Sequence, residues 1–179
     1  MSVVVANPSA SEDYFRFFGL EQRFNIDLAT LDQAYLAIQK EVHPDRHARG
    51  SDTEQRLAMQ MATLANTAFQ TLKNPIQRGL YLCQLHGVDA HLETNTAMPA
   101  AFLMKQIDWR ENLEDQDEDL GALEALAQEV DQSKQDTLAE ITQAIDGAKN
   151  YDRAAELLRG LLFIDKFALE LDDAISVLV

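Results

Sequence analysis

A single cysteine, Cys83, stands in the 179-residue chain. One thiol excludes an internal disulfide framework and any cysteine-based metal or cluster site within one copy. Glycine (7) and proline (4) are scarce, and β-branched runs are nearly absent, which leaves little from which to build strands. No apolar run approaches the ~20 residues of a membrane-spanning helix. The opening MSVVVANPSASED has no basic n-region and too short an apolar run for a signal peptide. The simplest expectation is a cytoplasmic chain with residues 1–11 as a loose leader. Positive charge is also short: 15 Lys and Arg stand against 30 Asp and Glu, a net charge of −15. Nucleic acid and anionic membrane surfaces both require clustered Lys and Arg, so neither is an expected partner.

What is present points to helices. Ala, Leu, Gln and Glu are plentiful, and 46% of the residues are hydrophobic, enough for a core and against disorder for most of the chain. An all-α protein follows, long enough for one domain or two small ones. The charge is uneven. Residues 1–75 carry 7 basic and 9 acidic groups, whereas residues 76–179 carry 8 and 21. Net charges of −2 and −13 suggest two units with different surfaces.

Along the chain, EDYFRFF (12–18) reads as a short helix closed by Gly19, with Tyr14, Phe15 and Phe18 as packing residues. Asp27 is a candidate N-cap for a second helix, on which Leu31, Tyr35, Ile38 and Val42 form one apolar stripe. Pro44 ends that helix, because the residue before a proline is pushed out of the α region. After a loop to Gly50, Ser51-Asp52-Thr53-Glu54 is a capping box. It opens a third helix with a stripe of Leu57, Met61, Leu64, Ala68 and Leu72. Two helices whose stripes must meet across so short a turn form an antiparallel hairpin. Asn74-Pro75 marks its far end. A fourth helix, about 75–85, carries Leu80, Leu82 and Leu85 and stops at Gly87. Residues 76–98 therefore read as a connecting helix and loop. Pro99 starts a helix to about 114, and two long helices follow at about 117–146 and 150–177, separated by Gly147 and Asn150. The C-terminal part, 99–179, is expected to be a three-helix bundle.

The stretch EVHPDRHARG (41–50) invites three readings. His43 and His47 with Asp45 could chelate a metal, but two histidines four apart share a helical face only if the helix is unbroken, and Pro44 interrupts it. A catalytic His–Asp pair would need a nucleophile and a third orienting group, and the chain has neither a G-x-S-x-G motif nor a glycine-rich phosphate loop. No catalytic residue, metal site or cofactor is therefore assigned. The third reading is a polar turn, and its setting gives it meaning: a short aromatic helix lies before it, the antiparallel hairpin surrounds it, and an Asn-Pro stop follows.

Residues 12–75 thereby resemble the J domain of DnaJ-type co-chaperones, in which a His-Pro-Asp turn joins two antiparallel helices and docks on a DnaK-class ATPase. The resemblance implies that His43, Pro44 and Asp45 form the trigger, with Lys40 and Arg46 beside it, and that Asp45 accelerates ATP hydrolysis by the chaperone. Pro44 fixes φ and lowers the entropy cost of presenting the imidazole and the carboxylate in one geometry. Many J domains steer docking with a basic helix. Here Lys40 alone is basic within 28–42, helped by Arg46 and Arg49, which points to a dedicated partner.

The remainder has no Gly/Phe-rich segment and no CxxCxGxG repeats. Almost end to end the chain resembles the HscB (Jac-type) co-chaperones of iron–sulfur cluster assembly. The resemblance rests on DYFRFFGL (13–20), EVHPDRHARGS (41–51), LKNPIQRGLYLCQLHG (72–87), AFLMKQIDWRENLED (101–115) and LLFIDKF (161–167). It implies an HscA-type chaperone and an IscU-type scaffold protein as partners.

Helical spacing adds an independent reading. On the helix after Pro99, Phe102, Trp109 and Leu113 fall in one core sector. Met104, Asp108, Glu111 and Asp115 lie opposite, with Leu103 and Ile107 along one flank. An apolar strip edged by carboxylates suits a partner, although Leu103 and Ile107 could equally pack on a neighbouring helix. On the last helix Ala154, Leu158, Leu161, Ile164, Ala168, Leu171 and Ile175 share a face, and Phe163 points away among Arg159, Lys166 and Glu170. By the resemblance, Leu103, Met104, Ile107, Asp108, Glu111, Asp115 and Phe163 bind the scaffold, with Ile107 in place of a leucine and Asp108 and Asp115 in place of glutamates. The rest of the acidic run 111–119 reads equally as a solvated face. Cys83, on an amphipathic helix, is expected to be buried and inert. The rival functions are a J protein for another client and a helical metal-binding protein using His43 and His47.

Overall fold

The computed structural model describes residues 13–42, 50–90, 98–115 and 119–179. The expected leader, the His43-Pro44-Asp45-Arg46 turn with His47, and part of the 88–98 linker lie outside the described residues. The elements among the described residues are all helices, as composition requires: α1 (Tyr14–Phe17), α2 (Leu28–Val42), α3 (Asp52–Lys73), α4 (Pro75–Leu85), α5 (Ala100–Asp115), α6 (Leu120–Thr142) and α7 (Tyr151–Leu178). They form two compact units, Met1–Arg78 and Gly79–Val179, so the chain passes from one to the other within α4.

The helix boundaries have local causes. Asp13 caps α1 by accepting the Phe15 N–H at 2.9 Å, and Gly19, at φ +68°, lets the chain turn away. Asp27 accepts from the Ala29 N–H (3.0 Å) and the Thr30 hydroxyl (2.6 Å), which holds its carboxyl below the usual range. The Ser51 capping box is complete: Glu54 N–H donates to Ser51 Oγ at 3.3 Å, and Ser51 N–H donates to Glu54 Oε2 at 2.7 Å. Asn74 ends α3 and starts α4, its Oδ1 accepting from the Ile76 and Gln77 N–H groups, with Pro75 at the first position of α4 where a missing N–H costs nothing.

In the first unit α2 and α3 pack antiparallel. The rings of Tyr35 and Phe69 stack at 4.1 Å, Tyr35 O–H donates to Asn66 Oδ1 at 2.6 Å, and Lys73 pairs with Asp32 at 3.4 Å. The buried face of α3 is Ala58, Ala65, Ala68, Phe69 and Leu72. The expected stripe holds at Ala68 and Leu72 and is offset by about one residue before them: Leu57, Met61 and Leu64 are only half-buried, while buried Ala58 and Ala65 let the two backbones approach. Phe15, Phe18, Phe24 and Leu31 close the core from α1, the following loop and α2. Arg78 is buried against it, donating Nε–H to the Phe24 carbonyl at 2.7 Å and Nη1–H to the Leu72 carbonyl at 2.5 Å. A guanidinium supplies the rigid fork that two converging backbone carbonyls need.

In the second unit α5, α6 and α7 make the expected three-helix bundle. Its core cluster joins Trp109, Leu123, Leu126, Val130, Ile164, Phe167 and Leu171, with Phe102, Leu113, Ala168 and Ile175 packed against it. Side chains of this size contribute about 1.5–3 kcal/mol each when withdrawn from water. Helix α6 runs antiparallel to both neighbours, as Trp109 reaches Glu129 and Lys105 reaches Ser133, while Lys134 pairs with Asp165. Where an uninterrupted helix to about 146 is expected, the last turn of α6 widens into a π-helical segment, Gln143–Gly147. Gly147 does not make the turn. Lys149 does, at φ 54°, and the Asn150 N–H returns to the Ala144 carbonyl at 2.8 Å. Asn150 then caps α7 by accepting the Arg153 N–H at 3.0 Å.

Candidate functional site

The surface of α5 carries the residues singled out from the sequence. Its core side is fixed by Trp109, 1% exposed, whose ring stacks on Phe167 at 5.5 Å. That contact sets the rotation of the helix about its axis. With Trp109 inward, Leu103, Met104 and Ile107 must face out, and they are 44%, 65% and 56% exposed. Of the two alternatives left open by spacing, exposure is the one that holds for these three side chains in the chain alone.

Phe163 of α7 is 41% exposed. Two ties fix the register of α5 and α7, which run in the same direction. A Cβ placed on Gly160 would sit 3.5 Å from the Phe102 ring, and Arg110 pairs with Glu170 at 3.1 Å. The same register sets Phe163 level with residues 103–107, so an apolar strip spans two helices. The seven α5 and α7 positions thus share one side of the bundle, with Asp108, Glu111 and Asp115 exposed beside the strip.

The two flanks of the strip differ. Toward α7, Arg110 lies over the Phe167 ring at 5.7 Å while it pairs with Glu170. Toward α6 a groove of about 410 Å³ opens, lined by Asp108, Glu111 and Asp115 with Asn112 from α5 and by Glu129 from α6. Glu129 accepts the Trp109 indole N–H at 2.8 Å. Lys105, also on this flank, sits over the Trp109 ring at 5.0 Å and donates to Ser133 Oγ at 3.2 Å.

Sequence spacing missed Glu129, since nothing in one dimension pairs position 129 with 109. It also misplaced Arg159, expected outward beside Phe163. Arg159 is 9% exposed and donates Nη1–H to the Ala90 carbonyl at 2.9 Å, because the segment after α4 folds back on α7 at that level. Lys40 is exposed in the last turn of α2, whereas His43, Pro44, Asp45 and Arg46 lie outside the described residues. Cys83 is buried, its Sγ–H facing the Tyr151 carbonyl at 3.6 Å. Burial, with the nearby Asp152 charge adding to it, pushes its thiol up to about 11. Such a thiol stays protonated and unreactive at neutral pH. Among the described residues no group of three or more His, Cys, Asp or Glu is placed to hold a metal ion, and no helix is long and apolar enough to cross a membrane.

Solved structures share this fold. HscB from Vibrio cholerae superposes with a TM-score of 0.82 at 32% identity, covering 94% of this chain and all of the other. Human HscB gives a TM-score of 0.82 at 26% identity, covering 95% of this chain and 83% of the other. The class is thereby defined: an all-α co-chaperone with an N-terminal J domain and a C-terminal helical bundle. The family model for the HSCB C-terminal oligomerisation domain matches residues 98–172. The co-chaperone HscB homolog of Ralstonia nicotianae is 44% identical over 170 residues, 94% of this chain and 97% of its own length. The chain belongs to the HscB family of co-chaperones for iron–sulfur cluster assembly.

Proposed function

We propose that this chain binds an IscU-type scaffold protein through Leu103, Met104, Ile107, Asp108, Glu111, Asp115 and Phe163, carries it to an HscA-type chaperone in the cytoplasm, and stimulates ATP hydrolysis there. Residues 12–75 act as the J domain, with His43, Pro44 and Asp45 as trigger and Lys40 and Arg46 as flanking cations. Residues 76–98 connect, and residues 99–179 hold the scaffold. The observation that carries the reading is the exposed two-helix strip. Three large apolar side chains of α5 and one of α7 remain in water on a chain with a well-formed core beneath them, which is the usual mark of a protein interface.

The chain makes and breaks no bond in this scheme. Holding both partners raises the effective concentration of scaffold at the chaperone, and flexible linkage of two sites commonly gains 10²–10⁴-fold, as an order of magnitude. The test is steady-state ATP turnover by an HscA-type chaperone with the chain, with the scaffold, and with both. Stimulation by the pair well beyond either alone supports the reading. Stimulation by the chain that the scaffold leaves unchanged would instead mark a J protein serving another client.

A further inference from the structure

We infer that the scaffold surface is electrically polarised across its apolar strip and that Glu129 of α6 is a specificity-determining residue, receiving a basic side chain from the flank of the bound scaffold. The inference rests on the scaffold reading above and extends it from α5 and α7 to the third helix of the bundle. Four carboxylates, Asp108, Glu111, Asp115 and Glu129, border one groove on the α6 side of the strip, and none of them makes an ion pair among the described residues. Lys105 lines the same groove, sits over the Trp109 ring and donates to Ser133 Oγ, so four carboxylates there face a single ammonium. On the α7 side, Arg110 and Glu170 neutralise one another.

Glu129 differs from the other three because it is held in place. The Trp109 indole N–H fixes Oε1 at 2.8 Å, leaving Oε2 to accept from outside. Trp109 is itself locked in the core, so this carboxylate is preorganised and loses little side-chain entropy on binding. The groove is concave and directly continuous with Asp108, Glu111 and Asp115. A partner seated on Leu103, Met104 and Ile107 therefore covers its mouth. Burial of uncompensated carboxylates is unfavourable unless the covering surface brings cations. The occupant is thus a scaffold face with an apolar centre and Lys or Arg along the edge that meets α6. The asymmetry also admits the scaffold in one orientation across the strip, because reversal would leave the carboxylates unpaired.

Glu129→Gln removes the charge but keeps an oxygen for the Trp109 indole, and Glu129→Lys reverses the charge. Glu124→Gln, on an exposed α6 position outside the groove, controls for net charge. Calorimetric titration of purified scaffold into each protein, at low and at high NaCl, reads the effect. The expected result is affinity lowered about 2–5-fold by Glu129→Gln and about 10-fold by Glu129→Lys. Both losses should shrink at high salt, with Glu124→Gln unchanged and near-ultraviolet dichroism of Trp109 preserved. Equal affinities for wild type, Glu129→Gln and Glu129→Lys would overturn the inference, as would a Glu124→Gln effect of the same size. Leu103→Ala with Phe163→Ala, measured in parallel, keeps the two claims apart: normal binding by that variant overturns the scaffold surface itself, whereas weakened binding with indifferent Glu129 variants overturns only the polarised flank.

Discussion

The two units solve the same packing problem and treat their surfaces oppositely. The first closes on aromatic rings and alanines, brings a guanidinium inside to satisfy two backbone carbonyls, and leaves Leu28, Leu36 and Met59 as its exposed large hydrophobics. The second buries a tryptophan and a leucine-rich seam, then keeps Leu103, Met104, Ile107 and Phe163 in water beside a row of carboxylates. Residues 76–179 also carry nearly all the net charge, −13 of −15. A surface that is both strongly acidic and locally apolar is soluble yet adhesive, and its adhesion is selective for a partner of complementary charge. The J-domain unit is near neutral and shows no comparable apolar strip among its described residues, and the role proposed for it rests on the His43-Pro44-Asp45 turn.

If that division of labour is right, the largest effect belongs to the turn. Asp45→Ala should abolish ATPase stimulation while scaffold binding by α5 and α7 stays at wild-type affinity. An unchanged turnover rate with this variant would break the assignment of the first unit. Next is Arg78→Met, which strands the carbonyls of Phe24 and Leu72 inside the first unit. It should destabilise that unit by about 3 kcal/mol, measured by denaturant unfolding monitored at probes in each unit. Equal loss at both probes would show that the units do not unfold independently.

Leu103→Ala combined with Phe163→Ala should weaken scaffold binding by about 2 kcal/mol, ~30-fold, with little change in unfolding midpoint. A stability loss as large as the affinity loss would mean that the strip supports the fold rather than a partner.

The smallest effect is alkaline and confined to the second unit. The Cys83 thiol is raised from 9.0 to about 11, so the folded state holds its proton where the unfolded chain would release it. Its contribution to stability is complete below pH 9 and is lost as pH rises toward 11. Unfolding midpoints of wild type and Cys83→Ala should therefore converge over that window, and parallel curves would refute the burial argument.

Much of this was legible in one dimension. The capping box at Ser51, the Asn74-Pro75 junction and the Phe102–Trp109–Leu113 sector are local signals, each written within a single short stretch of chain, and each appears where spacing puts it. The α3 core face is buried as spaced at Ala68 and Leu72 but lies one residue off before them, because Leu57, Met61 and Leu64 outrank alanine in hydrophobicity while close helix approach favours Ala58 and Ala65. Lys149, not Gly147, takes the left-handed turn after α6, since the π-helical segment carries the chain two residues further before it reverses.

The sequence by itself determined an all-helical chain, its caps and breaks, its lopsided charge and its family, because these depend on composition, neighbouring residues and near end-to-end similarity. Tertiary structure alone decided that Leu103 and Ile107 stay in water, that Arg159 is buried against Ala90, and that Glu129 joins the carboxylates of α5. Each of these depends on which helix lies beside another and in what register. Trp109 sets that register by stacking on Phe167, across 58 residues of chain that no local pattern can bridge.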